Sequence, residues 1–332
     1  MRIGLIGAGA VADLHAAAAE ALSGLRLTAV CDLVEAAAGR VAGPAGAAVF
    51  TDYRDLIDSG LVDAVIVNTP HGLHRQMVTD AAQRGLHVLV EKPMATTLAD
   101  CDAMRDACHA ADVTLVVGHI QHFLPEKVAV QSLLADGGHG PVVMIHDYRT
   151  TDYRPTTRSA WFFSPQMAGG GALMNIGAHC LDRSTWLGGA PAEQITAATA
   201  RRFGVAVETD GALRLRLANG VPVSISVVSD TPHKADDLTI VCERAVITAS
   251  PRLGVHVQQD GRTRQIRKRR PSDIPDAFRA QLSDFAATVD GRPARVSIEH
   301  ARHVVELVLA AYRSAELRET VAVRPTATHA AA

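Results

Sequence analysis

Asn175, His179 and Asp182 stand four and three residues apart behind three glycines, Gly169-Gly170-Gly171. On a helix that spacing puts all three on one face, with Leu173, Ile176, Cys180 and Leu181 able to pack beneath. A histidine titrates near neutrality and can take or return a proton. An amide one turn away can orient a hydroxyl through either of its ends. Glycines let the backbone pass close to another group or adopt dihedrals that other residues avoid. Read alone, the stretch equally suits a surface turn followed by a core helix with one satisfied histidine. Lys92 is the second reactive candidate: it follows an apolar run and precedes a proline, which restricts its backbone to extended conformations.

A third pattern opens the chain. The apolar run Arg2 to Ile6 leads into Gly7-Ala8-Gly9-Ala10-Val11-Ala12 and then a helical pattern. In this GxGxxA arrangement Gly7 permits a tight turn, Gly9 lets a pyrophosphate approach the backbone, and small Ala12 allows close helix–strand packing. The helix N-terminus offers free N–H groups and partial positive charge to the phosphates, so Gly7, Gly9, Ala10 and Val11 are expected dinucleotide contacts. A second strand, Leu25 to Cys31, ends on Asp32, 20 residues beyond Ala12. A carboxylate there accepts hydrogen bonds from ribose hydroxyls and repels a 2′-phosphate, which points to NAD rather than NADP. The plainer role for Asp32 is a helix N-cap before Leu33.

These residues need a scaffold, and the following chain supplies its pattern. Short apolar runs alternate with helical segments through Val113–Val117, which predicts a parallel sheet covered on both faces. Ligands of such sheets sit beyond the carboxyl ends of the strands. Asn68, Thr69, Pro70, His71, His74, Glu91, Lys92 and His119 fall at those ends. Later strands alternate strictly, as Leu213, Leu215 and Leu217 do against Arg214, Arg216 and Ala218. That pattern predicts an antiparallel sheet with one face packed. One continuous strand is expected from Val255 to about Ile266, then helices over 274–289 and 298–316. The polar, aromatic stretch from Thr150 to Ser164 carries Tyr153, Arg154, Arg158 and Trp161, which suits a polyhydroxylated ligand or a subunit contact.

Composition narrows the function classes. The chain has 332 residues, enough for two domains, and a net charge of -2 that gives no electrostatic reason to expect nucleic acid. The run Arg267-Lys268-Arg269-Arg270 reads as a solvated strand end or loop. No apolar segment approaches the roughly 20 residues of a membrane span, and the N-terminus lacks the pattern of a signal peptide. Five scattered cysteines without a CxxC pair suit a reduced compartment. A cytoplasmic protein is expected. His71/His74 and His119/His122 are short-spaced, but without cysteine partners or HExxH spacing no metal is expected. His300 and His303 read as structural.

Taken together, Gly7-Ala8-Gly9, Thr69-Pro70-(x)3-His74, Glu91-Lys92-Pro93, Gly118-(x)4-Phe123 and the stretch through His179 resemble the Gfo/Idh/MocA oxidoreductases, in order and spacing over essentially the whole chain. The resemblance implies an α/β protein. A doubly wound parallel sheet of Rossmann type would span residues 1–122, and an α+β domain with a large, mostly antiparallel open-faced sheet 123–325, leaving 326–332 as a tail. It implies NAD-dependent hydride transfer on a secondary alcohol or ketone of a cyclic polyol, sugar or sugar-like compound. His179 would be the acid/base and Lys92 would orient the reacting oxygen. Asn175 stands where many members have aspartate, so it is expected to position substrate without holding charge. His122 replaces a common arginine or lysine. Substrate contacts are expected from His119, Tyr153, Arg154, Arg158, Trp161, Asn175 and His179, and a homodimer or homotetramer through the second sheet. A nucleotide-sensing regulator, or an enzyme whose tightly held NAD is reduced and reoxidised within one turnover, shares the same sequence features.

Overall fold

The computed structural model describes residues 1–323; the tail expected at 326–332, and its start at Arg324, lie outside the described residues. The described chain forms two compact units, residues 1–123 with 272–301, and residues 124–271 with 302–323.

In the first unit the apolar runs become β1 (Arg2–Ile6), β2 (Arg26–Cys31), β3 (Ala48–Phe50), β4 (Ala64–Val67), β5 (His87–Glu91) and β6 (Leu115–Gly118). Every neighbouring pair is parallel, in the order β3-β2-β1-β4-β5-β6. The order reverses between β1 and β4, and the crevice at their carboxyl ends is where a doubly wound sheet binds ligands. Helices α1 (Ala12–Ala21), α2 (Glu35–Ala42), α3 (Tyr53–Asp58), α4 (His74–Gln83) and α5 (Leu98–Ala110) connect the strands. Ile3, Leu5, Ile66 and Leu89 are fully buried, each contributing about 1.5–3 kcal/mol. The helix Asp273–Val289, which the sequence reading assigns to the second domain, belongs to this unit. Its Phe278, Leu282 and Phe285 join the core of Ile3, Leu5 and Ile66.

The second unit begins with α6 (Pro125–Ala135) and is built on a nine-stranded sheet. Its strands are β7 (Val142–Thr151), β8 (Ala192–Ala200), β9 (Asp210–Leu217), β10 (Pro222–Ser229), β11 (Asp236–Cys242), β12 (Val246–Ser250), β13 (Gly254–Gln259), β14 (Arg262–Arg267) and β15 (Val321–Ala322). The order is β14-β13-β12-β11-β7-β10-β9-β8-β15, antiparallel except for the parallel pair of β7 and β10. Leu213, Leu215, Leu217, Val223, Ile225 and Val227 point into the core, while Arg214 and Arg216 face out. The single strand expected from Val255 to Ile266 is instead a hairpin. It turns at Asp260-Gly261, both at positive φ (51° and 70°), the geometry that favours Asp-Gly between antiparallel strands. The basic run follows edge strand β14 with Lys268, Arg269 and Arg270 exposed; cations of this kind discourage edge pairing with another chain. Between β7 and the glycine-led helix lie a 3-10 turn, Ala160–Phe163, and a one-turn helix, α7 (Pro165–Ala168); the helix itself opens with a π-helical segment, Leu173–Gly177. This segment runs directly into α8 (Ala178–Gly188).

Candidate active site

In the first unit the glycine loop closes at the carboxyl ends of β1 and β4. Gly7 sits at φ +98°, and a Cβ there would come within 2.9 Å of the Asn68 backbone. The space beside Gly9 is open, with nothing within 4 Å of a Cβ. No side chain caps α1; Ala12 N and Leu14 N turn back onto the Gly9 and Val11 carbonyls at 3.1 Å, and the positive end of the helix dipole faces the glycine loop. Asp32 does two jobs at once. Its carboxylate accepts from Ala8 N at 2.8 Å, tying down the glycine loop, and from Val34 N at 2.9 Å, an Asx-type turn leading to α2. Arg40 adds a bond to the Ala8 carbonyl at 3.2 Å and pairs with Asp13.

Asn68 ends β4, and neither polar atom of its buried amide has a hydrogen-bond partner among the described residues. An unpaired buried amide is costly, and its place at the strand end suits a ligand that bonds both groups. Gly7, Gly9, Asp32, Asn68 and the start of α1 thus fit a dinucleotide. When bound, NAD would supply the carbon that exchanges hydride.

Three expected contacts are committed within the protein. His74 is fully buried; its Nε2 lies 2.9 Å from the Thr69 carbonyl and its Nδ1 3.0 Å from that of Pro93. It therefore ties together the loops after β4 and β5, and burial holds its pKa below the usual histidine value. The Thr69 hydroxyl lies 3.3 Å from the Met77 sulfur. Glu91 accepts from His15 Nε2 at 2.9 Å and from the Lys92 amide at 3.2 Å. Burial pushes the Glu91 carboxyl up, but the His15 bond and the charges of His15 and Lys92 outweigh it and leave it below the usual range. The Lys92–Pro93 peptide is cis, and Lys92 is half-buried. His15 is a residue that the sequence reading misses. It lies on α1 among buried Ala12, Ala18 and Ala19, edge-on to Phe278 at 4.9 Å; its place on that small-residue face is the available signal. His71 is buried with its ring 5.9 Å from that of His74. Buried His119 and His122 lie 6.0 and 5.3 Å from the His300 ring.

In the second unit Asn175, His179 and Asp182 lie on one continuous helix, and all three are buried. The regular α-helix expected there is π-helical at its start, Leu173–Gly177. Wider π turns of this sort recur at functional sites. The glycines have a steric reason. A Cβ at Gly170 would overlap the Tyr312 hydroxyl, and one at Gly171 the Glu208 carbonyl oxygen.

The aromatic loop is largely self-supporting. Tyr153 is fully buried and donates to the Phe162 carbonyl at 3.1 Å. Arg158 bonds the Asp152 carbonyl at 2.9 Å and the Thr151 hydroxyl at 3.2 Å. Arg154 pairs with Asp230 at 3.3 Å, and Trp161 stacks on Phe162 at 3.7 Å. His303 is structural as expected, accepting from Ala192 N at 3.2 Å.

Residues 1–119 match the family described as "Oxidoreductase family, NAD-binding Rossmann fold", and residues 128–248 match the "GFO/IDH/MocA C-terminal domain". Inositol 2-dehydrogenase 2 of Saccharopolyspora erythraea is 33% identical over 71% of this chain and 69% of its own length. The rhizopine catabolism protein MocA of Rhizobium meliloti is 30% identical over 63% of this chain; the match spans 64% of that protein. The crystal structure of GenD2 from gentamicin A biosynthesis in complex with NAD is 25% identical. It superposes with a TM-score of 0.88, covering 98% of this chain and 96% of that one. Among the described residues no helix is long and apolar enough to cross a membrane.

Proposed function

The chain belongs to the GFO/IDH/MocA oxidoreductase family, and from that premise we propose that it transfers hydride between NAD and a secondary alcohol or ketone carbon of a cyclic polyol, sugar or sugar-like compound. The observation that carries this reading is the cradle of Gly7, Gly9, Asp32 and the unpartnered Asn68 amide in a chain that also carries Lys92 and His179. In the oxidative direction the His179 imidazole takes the hydroxyl proton. The Lys92 ammonium donates a hydrogen bond to the same oxygen and stabilises its developing negative charge. Asn175, buried one helical turn before His179, holds a neighbouring hydroxyl through its amide. In the reductive direction His179 returns the proton.

The test is a fluorescence titration with NADH and with NADPH, followed by turnover on myo-inositol, D-xylose and related polyols. Stoichiometric NADH formation separates a dehydrogenase from an enzyme that reoxidises its nucleotide within each turnover. Nucleotide binding without turnover of any kind favours a sensor. Asp32→Ala is expected to weaken NADH by about 10-fold or more, the worth of a hydrogen bond to a charged group, and NADPH less. Equal losses for both nucleotides would remove Asp32 from the ribose site.

The outward face of the nine-stranded sheet carries half-exposed Val143 at the start of β7, where the register with β11 shifts beside Val241, and half-exposed Tyr148 further along β7, opposite Asp237. This supports assembly of two or four copies through that face. Light scattering on the eluting protein is expected to give a dimer or tetramer, and Val143→Asp to shift it to a smaller species; an unshifted mass would place the interface elsewhere.

A further inference from the structure

Each helix begins with about four amides that have no partner within it. In the helix carrying Asn175 and His179, none of these amides is capped by a nearby side chain. All four are instead satisfied by two residues far away in sequence. The buried Glu208 carboxylate accepts from Gly171 N at 2.9 and 3.0 Å and from Leu173 N at 2.8 Å. The Glu208 carbonyl accepts from Ala172 N at 2.9 Å. The Tyr312 hydroxyl accepts from Met174 N at 3.2 Å and donates to Glu208 Oε1 at 2.8 Å. The first bond internal to the helix, Asn175 N to Gly171 O at 3.1 Å, starts where this set ends. Gly170 and Gly171 leave the room that the Tyr312 hydroxyl and the Glu208 carbonyl occupy.

A local Ser, Thr or Asp would cap a helix without burying a carboxylate. What the remote pair adds is a fixed position. It ties the start of the helix to the turn before β9 and to the helix Ile298–Leu317, so that neither rotation nor sliding of the first turn is free. We propose that Glu208 and Tyr312 are positioning residues, which set the placement of Asn175 and His179 through the first four amides of their helix. The inference rests on the reading of His179 as acid/base.

The test uses the full-length chain with Tyr312→Phe, which removes only the hydroxyl, and Glu208→Gln, which keeps the shape but replaces one acceptor oxygen by a donor. Both are expected to speed hydrogen exchange at Met174, and Glu208→Gln also at Gly171 and Leu173. On whichever of myo-inositol or D-xylose the parent protein oxidises faster, kcat is expected to fall by up to about 100-fold, with the NADH dissociation constant unchanged. The imidazole nitrogen shifts of His179 are expected to move in both variants. Faster amide exchange with kcat and the His179 shifts unaltered would make the cap structural only and overturn the proposal. If the parent protein oxidises neither probe, the proposed activity fails on its own. The His179 shifts then decide: moved in both variants, positioning stands; unmoved, it falls. Should Glu208→Gln fail to fold, the same readouts on Tyr312→Phe alone decide between positioning and a purely structural cap.

Discussion

His179→Ala is expected to lower turnover by about 10²–10⁴-fold, the usual contribution of a positioned acid/base, while NADH binding stays as it was. The separation follows from where the parts lie. His179 is buried in the second unit, whereas the glycine loop, Asp32 and Asn68 belong to the first. Removing the imidazole leaves every hydrogen bond of the nucleotide cradle intact. The measurement pairs steady-state NADH absorbance with a binding titration on the same preparation. Lys92→Met is the companion, because it keeps the aliphatic stem and removes the ammonium. Under the proposed roles the two losses combined should fall short of their product, since groups that serve one reacting oxygen are not additive. Turnover that survives His179→Ala would sink the acid/base assignment; turnover and NADH binding lost together would point to a damaged fold.

The largest stability effect is expected at Arg183. Its side chain is shut off from water, with a relative exposure of 0%. Its guanidinium grips Asp147 of β7 through Nε at 2.6 Å and a second nitrogen at 2.5 Å, and reaches Asp236 of β11 at 2.5 Å. The helix bearing His179 is thereby fastened to two adjacent strands. Arg183→Met keeps much of the volume but leaves Asp147 buried beside Asp236 without their shared cation. Breaking one side of a buried pair costs about 3–5 kcal/mol, a fall in Tm on the order of 10 °C. Adding Asp147→Asn to Arg183→Met should recover part of the loss, because the stranded charge goes with it. Thermal scans of the parent protein and the two variants give the answer, and a Tm unchanged in Arg183→Met would show that the network contributes nothing.

The same network has a pH signature with a definite sign. Burial alone pushes the Asp236 carboxyl up, but Arg149, Arg183 and Lys127 overcome it and hold the group well below its ordinary value of 3.8. A depressed acid contributes stability that is complete above the ordinary value and is lost as pH falls through the folded one. The Tm gap between the parent protein and Arg183→Met should therefore be full at neutral pH and narrow as the solution is acidified below that value.

The elements of this fold were legible because they are written in local periodicity. Unbroken apolar runs became the parallel strands, strict alternation became β9 and β10, and Gly7 to Ala12 followed by Asp32 marked the crevice at β1. Asp260-Gly261 carries a readable turn as well, although the stretch from Val255 to Ile266 reads as one strand. Local residue patterns thus specify which segments form strands and helices, which way their apolar faces point, and which polar residues fall at strand ends. Tertiary structure alone decided the rest, since it depends on contacts between segments far apart. It placed the helix Asp273–Val289 in the first unit, turned Glu91 and His74 inward onto His15 and the Pro93 carbonyl, and gave Tyr153 to Phe162. It also explains the glycine run. The space those glycines leave is filled by Glu208 and Tyr312, 37 and 138 residues from the amides they hold, and no local pattern of residue types carries that information.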